Sequence, residues 1–188
     1  IPSTATIMYG HVDEPKHWSA HIALLREIQR DTGRFTELVP LSFVHTDSPL
    51  FLNNPNLVRP GPTDHEVDLM HSVSRIMLNG FIDNIQVSWT KLGAERARDM
   101  LSLGVNDLGG TLMNESISRS AGSKYGQEIT ASELCEIIRS TGRTPVRRNT
   151  VYKTIDIFKD HDPIEIAPLV ERNSDPLNFL KMFPETLK

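Results

Sequence analysis

Apolar positions along the chain switch between two rhythms. Thr4-Ala5-Thr6-Ile7-Met8-Tyr9 is rich in β-branched residues and predicts a first strand. Asp13, Glu14 and Pro15 then supply acidic and proline helix-start signals. Trp18, Ile22, Leu25 and Ile28 step by four, three and three, which marks one helix face ending at Gly33. A second strand is predicted from Phe35 to Leu41, running into Ser42-Phe43-Val44. A long loop with Pro49, Pro55, Pro60 and Pro62 follows, until Thr63 and Glu66 take a capping-box spacing. The helix behind them carries Val67, Met70, Val73 and Met77 on one stripe and stops at Gly80. Ile85-Gln86-Val87-Ser88-Trp89 predicts a third strand, and a shorter helix runs from about Ala94 to Gly104. A fourth strand spans about Asp107 to Met113, a loop with Gly122 and Gly126 follows, and Thr130-Ala131-Ser132-Glu133 caps a last helix that ends at Gly142. Glycine after a helix suits a left-handed cap. From Thr144 the pattern decays: Arg147-Arg148-Asn149 and the stretch Asp160–Lys188 read as an extended tail, with at most a short helix near Leu177–Met182.

Strands alternating with helices imply crossover connections and a parallel sheet. Four such units fit a small doubly wound sheet, and they equally fit half of a (β/α)8 barrel, which takes ~250 residues. With 188 residues the chain has room for half a barrel at most. It opens on Ile1 rather than Met and enters a strand by Thr4, so a piece of a longer chain is expected.

Composition narrows the function. Net charge is −4, which argues against a nucleic-acid binder. No apolar run approaches the ~18–20 residues of a membrane span, and no targeting segment is visible. One cysteine, Cys135, excludes an internal disulfide and a self-contained thiolate metal site. It lies between Leu134 and Ile138 on an apolar helix face and reads as core.

In parallel α/β architectures ligands meet the C-terminal ends of strands. The loops there hold the candidate chemistry. His11, beside Gly10 and near Asp13, suits substrate orientation or proton transfer; the plain alternative is a histidine bonded to loop backbone. His17 and His21 have a metal-like spacing, but Trp18 stands where a zincin helix carries Glu, so they read as flanking a solvated helix side. Period two puts Gln86, Ser88 and Thr90 on one face and Ile85, Val87 and Trp89 on the other, with Thr4, Thr6 and Met8 in matching parity. The polar trio is expected to face inward, towards a ligand or as a polar core layer. Gly109-Gly110-Thr111 lets backbone approach a ligand or packs a rim tightly. Asn114, Glu115 and Arg119 follow; the last two suit hydroxyl, amine or carboxylate partners, or a rim salt bridge.

Taken together, these residues resemble a known family. Ser3-Thr4-Ala5-Thr6-Ile7-Met8-Tyr9-Gly10-His11-Val12 is similar to the mid-barrel motif of radical S-adenosylmethionine enzymes that build deazaflavins and menaquinone precursors. So are Leu25 to Gly33, Gln86-Val87-Ser88-Trp89, Asn106-Asp107-Leu108-Gly109-Gly110-Thr111-Leu112-Met113, and Ile117-Ser118-Arg119 leading to Ala121-Gly122. Gly142-Arg143-Thr144-Pro145, with Arg147 and Tyr152, looks most like the FO synthase family. The resemblance spans about Ile1 to Tyr152 and implies a region 1–152, strands five to eight of a radical-SAM (β/α)8 barrel, followed by an extended tail over 153–188. Two departures stand out. Asn114-Glu115 replaces two adjacent acids, and Asp13 replaces a usual Glu, which leaves a shifted substrate preference open.

The resemblance implies the following chemistry. A 4Fe-4S cluster cleaves S-adenosylmethionine to a 5′-deoxyadenosyl radical. The radical takes a hydrogen from L-tyrosine, and the released 4-hydroxybenzyl fragment adds to 5-amino-6-(D-ribitylamino)uracil. A second radical domain or subunit closes the deazaflavin. The cluster motif needs three thiolates, so it is expected upstream of Ile1, in an N-terminal half-barrel that partners this chain; the 188 residues alone are expected to be inactive. Carried onto this sequence, the resemblance makes His11 and Glu115 the catalytic candidates. Thr6, Tyr9, Asp13, Gln86, Ser88, Lys91, Gly110, Thr111, Asn114 and Arg119 become the candidates for substrate or S-adenosylmethionine binding, Lys91 or Arg119 taking the tyrosine carboxylate. An oxygen-sensitive cluster enzyme without a targeting signal is expected in the cytoplasm. The competing readings are an aminofutalosine synthase-like enzyme, a metal-dependent hydrolase using His11, Asp13 and His45, and a non-catalytic remnant.

Overall fold

The computed structural model describes residues 1–112, 115–126 and 128–159, and the architecture is mixed α/β. In chain order come β1 (Ser3–Tyr9), α1 (Pro15–Thr32), β2 (Phe35–Ser42), a short α2 (Pro49–Asn53), α3 (Asp64–Met77), α4 (Trp89–Leu92), α5 (Ala94–Met100) with a 3-10 turn over Leu101–Leu103, α6 (Ser116–Ser120), α7 (Ala131–Ser140), β3 (Val146–Arg148) and β4 (Thr154–Ile157).

β1 and β2 pair in parallel, with Thr4 opposite Glu37, Thr6 opposite Val39 and Met8 opposite Leu41. Two single parallel bridges, Leu38 to Ile85 and Gln86 to Asp107, carry the ladder onward. Gln86 N–H donates to Leu38 O (2.9 Å) and Val87 N–H to Asp107 O (3.0 Å). The third and fourth strands are therefore shorter than their sequences predict. After Ser88 the chain turns helical, because the N–H groups of Lys91 and Leu92 close back on Ser88 O. At Asp107 the side chain takes Gly109 N–H at 2.6 Å, a local turn that displaces ladder pairing.

Alternation in β1 is clean. Ala5, Ile7 and Tyr9 are buried, while Thr4, Thr6 and Met8 are exposed. The buried face joins Leu38, Ile85 and Val87 in one core with Trp18 and Ile22 of α1, Val67 and Met70 of α3, and Ala97 and Met100 of α5. Burying a side chain such as Ile22 or Met70 contributes about 1.5–3 kcal/mol. Two helix stripes differ from expectation. Ile28 and Val73 are about a third exposed, and α3 instead buries His71 and Ser74. His71 is tolerated there because its Nδ1 lies 2.8 Å from Val67 O; burial pushes its pKa down.

Both predicted capping boxes form, Thr63 with Glu66 and Thr130 with Glu133. Gly33 is the left-handed cap of α1 (φ 60°). At α3 and α7, however, Leu78 and Thr141 are the cap residues and the glycines come later.

The tail reading needs correction over 146–159. β3 and β4 form an antiparallel hairpin, Val146 opposite Ile157 and Arg147 opposite Asp156, which straddles position 152. Its turn is built by Asn149, whose Oδ1 accepts Val151 N–H (3.0 Å) and Lys153 N–H (2.9 Å). The helix expected near Leu177–Met182 lies outside the described residues. Among the described residues no helix is long and apolar enough to cross a membrane.

Candidate functional site

The open face of the sheet has a floor, at the start of the strands, and a rim, at their C-terminal ends. On the rim, β1 ends at Gly10 with φ 90°. Asp13 folds back under this turn: its carboxylate accepts Gly10 N–H (2.9 Å), His11 N–H (2.9 Å) and the Trp18 indole N–H. Burial works against its charge, but these bonds outweigh it and hold the carboxyl below its ordinary range. Asp13 is thus tied to the loop that it ends. His11 Nδ1 is buried and lies at ion-pair distance, 2.6 Å, from Asp13 Oδ1.

A second rim segment carries Ser88, Thr90 and Lys91. The hydroxyls of Ser88 and Thr90 are 3.0 Å apart, and Lys91 Nζ donates to Ser118 Oγ at 2.9 Å. Burial lowers the Lys91 pKa, and the Glu115 charge partly restores it. The third segment is the loop around α6. Glu115 caps that helix, accepting Ile117 N–H (2.9 Å) and Ser118 N–H (2.8 Å). Burial raises its pKa, but the Ser118 hydroxyl, these N–H groups and Lys91 prevail and hold the carboxyl low. So Glu115, expected as a catalytic group, spends its oxygens on its own helix. Arg119, Gly110 and Thr111 are exposed on the same rim. Asn114 lies outside the described residues.

Tyr9 is a correction. Strand parity sends its ring to the helix side, where it is fully buried edge-on to Trp18 (5.6 Å), with its hydroxyl unpartnered. It cannot reach a ligand on the open face. Thr6, opposite in parity, can. His17 and His21 bond protein atoms: His17 Nδ1 accepts Glu14 N–H (3.0 Å), and His21 Nε2 lies 3.2 Å from Thr6 O. Among the described residues no three of His, Cys, Asp or Glu converge, so His11, Asp13 and His45 are not brought together as the hydrolase reading expected. His45 packs its ring edge on Phe51 instead.

The floor was not foreseen. Arg148, from β3, donates to Asp107 Oδ2 (2.5 Å) and reaches Gln86 Oε1 (3.4 Å) and Glu37 Oε2 (3.5 Å). Its guanidinium lies 3.9 Å over the Tyr152 ring, and the Tyr152 hydroxyl bonds Glu37. Thr4 Oγ1 donates to Glu37 Oε1 at 2.8 Å. Gln86 is therefore held by a protein cation at the floor, not free at the rim. The one available sequence signal was Glu37, a carboxylate inside an apolar strand in the parity of Thr4. A cavity of about 590 Å³ lies behind the Gly109–Thr111 turn, walled by Leu134, Cys135 and Ile138 of α7 and by Phe158.

Comparison with known proteins fits this arrangement of a parallel ladder and polar rim. The family model described as "CofH/MqnC C-terminal region" matches residues 32–161. The chain belongs to that family. An FO synthase of Mycobacterium leprae is 55% identical over 152 residues, 81% of this chain and 17% of the relative. An FO synthase of Nocardia farcinica is 53% identical over 169 residues, 90% of this chain and 19% of the relative. A protein of Methanopyrus kandleri named 5-amino-6-(D-ribitylamino)uracil–L-tyrosine 4-hydroxyphenyl transferase is 48% identical over 158 residues, 84% of this chain and 42% of the relative. The chain thus spans under a fifth of the two FO synthases and under half of the transferase. Within the CofH/MqnC C-terminal region, the match takes in both the rim loops after β2 and the floor hairpin.

Proposed function

We propose that this chain is half the wall of a (β/α)8 barrel, strands five to eight, in an enzyme that joins the 4-hydroxybenzyl group of L-tyrosine to 5-amino-6-(D-ribitylamino)uracil. The observation that carries the reading is the four-segment parallel order β1, β2, 84–87 and 106–107, helices covering Ala5, Ile7, Leu38 and Ile85 while Thr4, Thr6 and Met8 stay open. The 48% identity to a transferase of that name supports the chemistry.

The residues present do not fit an iron–sulfur cluster, because Cys135 is the one thiol and it is buried. In this reading the cluster belongs to chain outside these residues, and no step is derived through it. What this chain supplies is position and exclusion of water. The Ser88–Thr90 hydroxyl pair and Thr6 offer hydrogen bonds to a polar ring and its hydroxyls. Lys91 or Arg119 takes the amino-acid carboxylate, and Gly110-Thr111 brings backbone close. Asp13 and Glu115 hold the loops that present these groups. His11 stands on the same rim, with its Nδ1 buried 2.6 Å from Asp13 Oδ1.

The test is product analysis. The full-length protein, cluster-reconstituted under anaerobic conditions with S-adenosylmethionine, tyrosine and the ribitylaminouracil, is expected to release the hydroxybenzyl adduct. Formation of an aminofutalosine-type product instead, or no adduct with an intact cluster, would overturn the assignment.

A further inference from the structure

Arg148 stands where the hairpin meets the sheet. Its side chain is 22% exposed and that of Asp107 8%. Burial works against the guanidinium charge, but Asp107, Tyr152 and Glu37 outweigh it and keep it firmly protonated. The Asp107 carboxylate is shared: Oδ2 accepts Arg148 Nε–H and Oδ1 accepts Gly109 N–H at 2.6 Å. Gly109 also rests on Gln86, since a Cβ there would fall 3.0 Å from Gln86 Nε2, and Gln86 is itself in reach of Arg148. A single cation therefore touches two supports of the Gly109-Gly110-Thr111 turn, whose third tie is the Trp89 indole N–H donating to Gly110 O at 3.1 Å.

We propose that Arg148 is a positioning residue: acting through Asp107 and Gln86, it fixes the Gly109-Gly110-Thr111 turn against which the substrate lies. This rests on the function proposed above. The planar fork of arginine is what the geometry uses, with Nε on one carboxylate and Nη2 between Gln86 and Glu37. A lysine ammonium is a point charge and cannot span these acceptors. Arg147, next in sequence, serves as the control. It pairs with Asp156 within the hairpin and is about half exposed.

The experiment compares Arg148→Lys, Arg148→Gln and Arg147→Gln in the full-length, cluster-loaded protein. Amide hydrogen exchange over 108–112 is read alongside KM, kcat and iron content. Both Arg148 variants are expected to speed exchange at 108–112 and raise KM for one substrate about tenfold, the scale of one charge-assisted hydrogen bond. Iron content and kcat should stay within about twofold, and Arg147→Gln should match wild type. Unchanged exchange at 108–112 in Arg148→Gln overturns the proposal. So does Arg148→Lys behaving as wild type, or exchange rising uniformly over the chain in both Arg148 variants. If the wild type forms no adduct, the reaction assignment fails, while exchange at 108–112 still decides whether Arg148 holds the turn.

Discussion

Replacing Asp13 by Asn tests the rim most directly. The Asp13 carboxylate is 12% exposed and accepts the N–H groups of Gly10 and His11 and the Trp18 indole. Hydrogen bonds to a charged group are worth about 1.5–3 kcal/mol each, and neutral ones about 0.5–1.5. The amide of Asn keeps one acceptor oxygen and turns an NH2 group towards a donor. The net loss works out at about 2–4 kcal/mol, a large part of the ~5–15 kcal/mol that holds a domain folded. Its pH dependence has a definite sign. The folded-state pKa of Asp13 is depressed, so its contribution is complete above the unfolded value near ~3.9 and is lost as pH falls through the lower folded value. Urea unfolding of the full-length protein should therefore show a wild type-to-Asp13→Asn gap at neutral pH that closes below about pH 4. Asp31→Asn is the control, since Asp31 is 67% exposed and pairs with its neighbour Arg30; it should shift stability by less than ~0.5 kcal/mol. A neutral-pH gap under ~1 kcal/mol, or a gap that persists unchanged in acid, would refute the reasoning. A variant as stable as wild type but inactive would make Asp13 a substrate ligand after all.

Three further outcomes are expected. Tyr9→Phe removes a buried hydroxyl that has no partner, so thermal unfolding should show no loss and up to ~1–2 kcal/mol of gain. Gly10→Ala would place a Cβ 2.4 Å from Pro62 at φ 90°, and a denaturant midpoint should report a loss of at least ~2 kcal/mol. Thr63→Ala removes the hydroxyl that caps α3 at Glu66 N–H, and chemical unfolding should register about 1 kcal/mol.

Local signals carried most of the frame. The boxes at Thr63–Glu66 and Thr130–Glu133 involve neighbours on one turn, so spacing alone revealed them. Strand parity opposed Gln86 and Ser88 to the buried Ile85 and Val87, but not Thr90, which lies in α4 and is buried beside Trp89 because the chain turns helical there. The strand ends were illegible because side-chain turns compete with pairing there, as Asp107 does with Gly109. The floor joins residues 41 and 111 positions apart, Arg148 with Asp107 and with Glu37, and no window on the sequence spans that. Asp13 and Glu115 were legible as rim carboxylates but their bonds to their own loops were not, since a carboxylate that bonds its own loop looks the same in sequence as one that faces open space.

The loop around α6 meets the loop after β2 without a spacer. At Gly122 a Cβ would fall 2.5 Å from Thr46 Cβ, and Asp47 N–H bonds Ala121 O at 3.0 Å. Two stretches of chain remote in sequence thus share a single clearance. Bulk added at position 46 cannot be absorbed at 122, where no smaller residue exists, and must displace the segment bearing Glu115 and Arg119. Substitutions at Thr46 and along 115–122 are consequently coupled. The width of the rim opening on that side is set by the Gly122–Thr46 contact and the Asp47–Ala121 hydrogen bond.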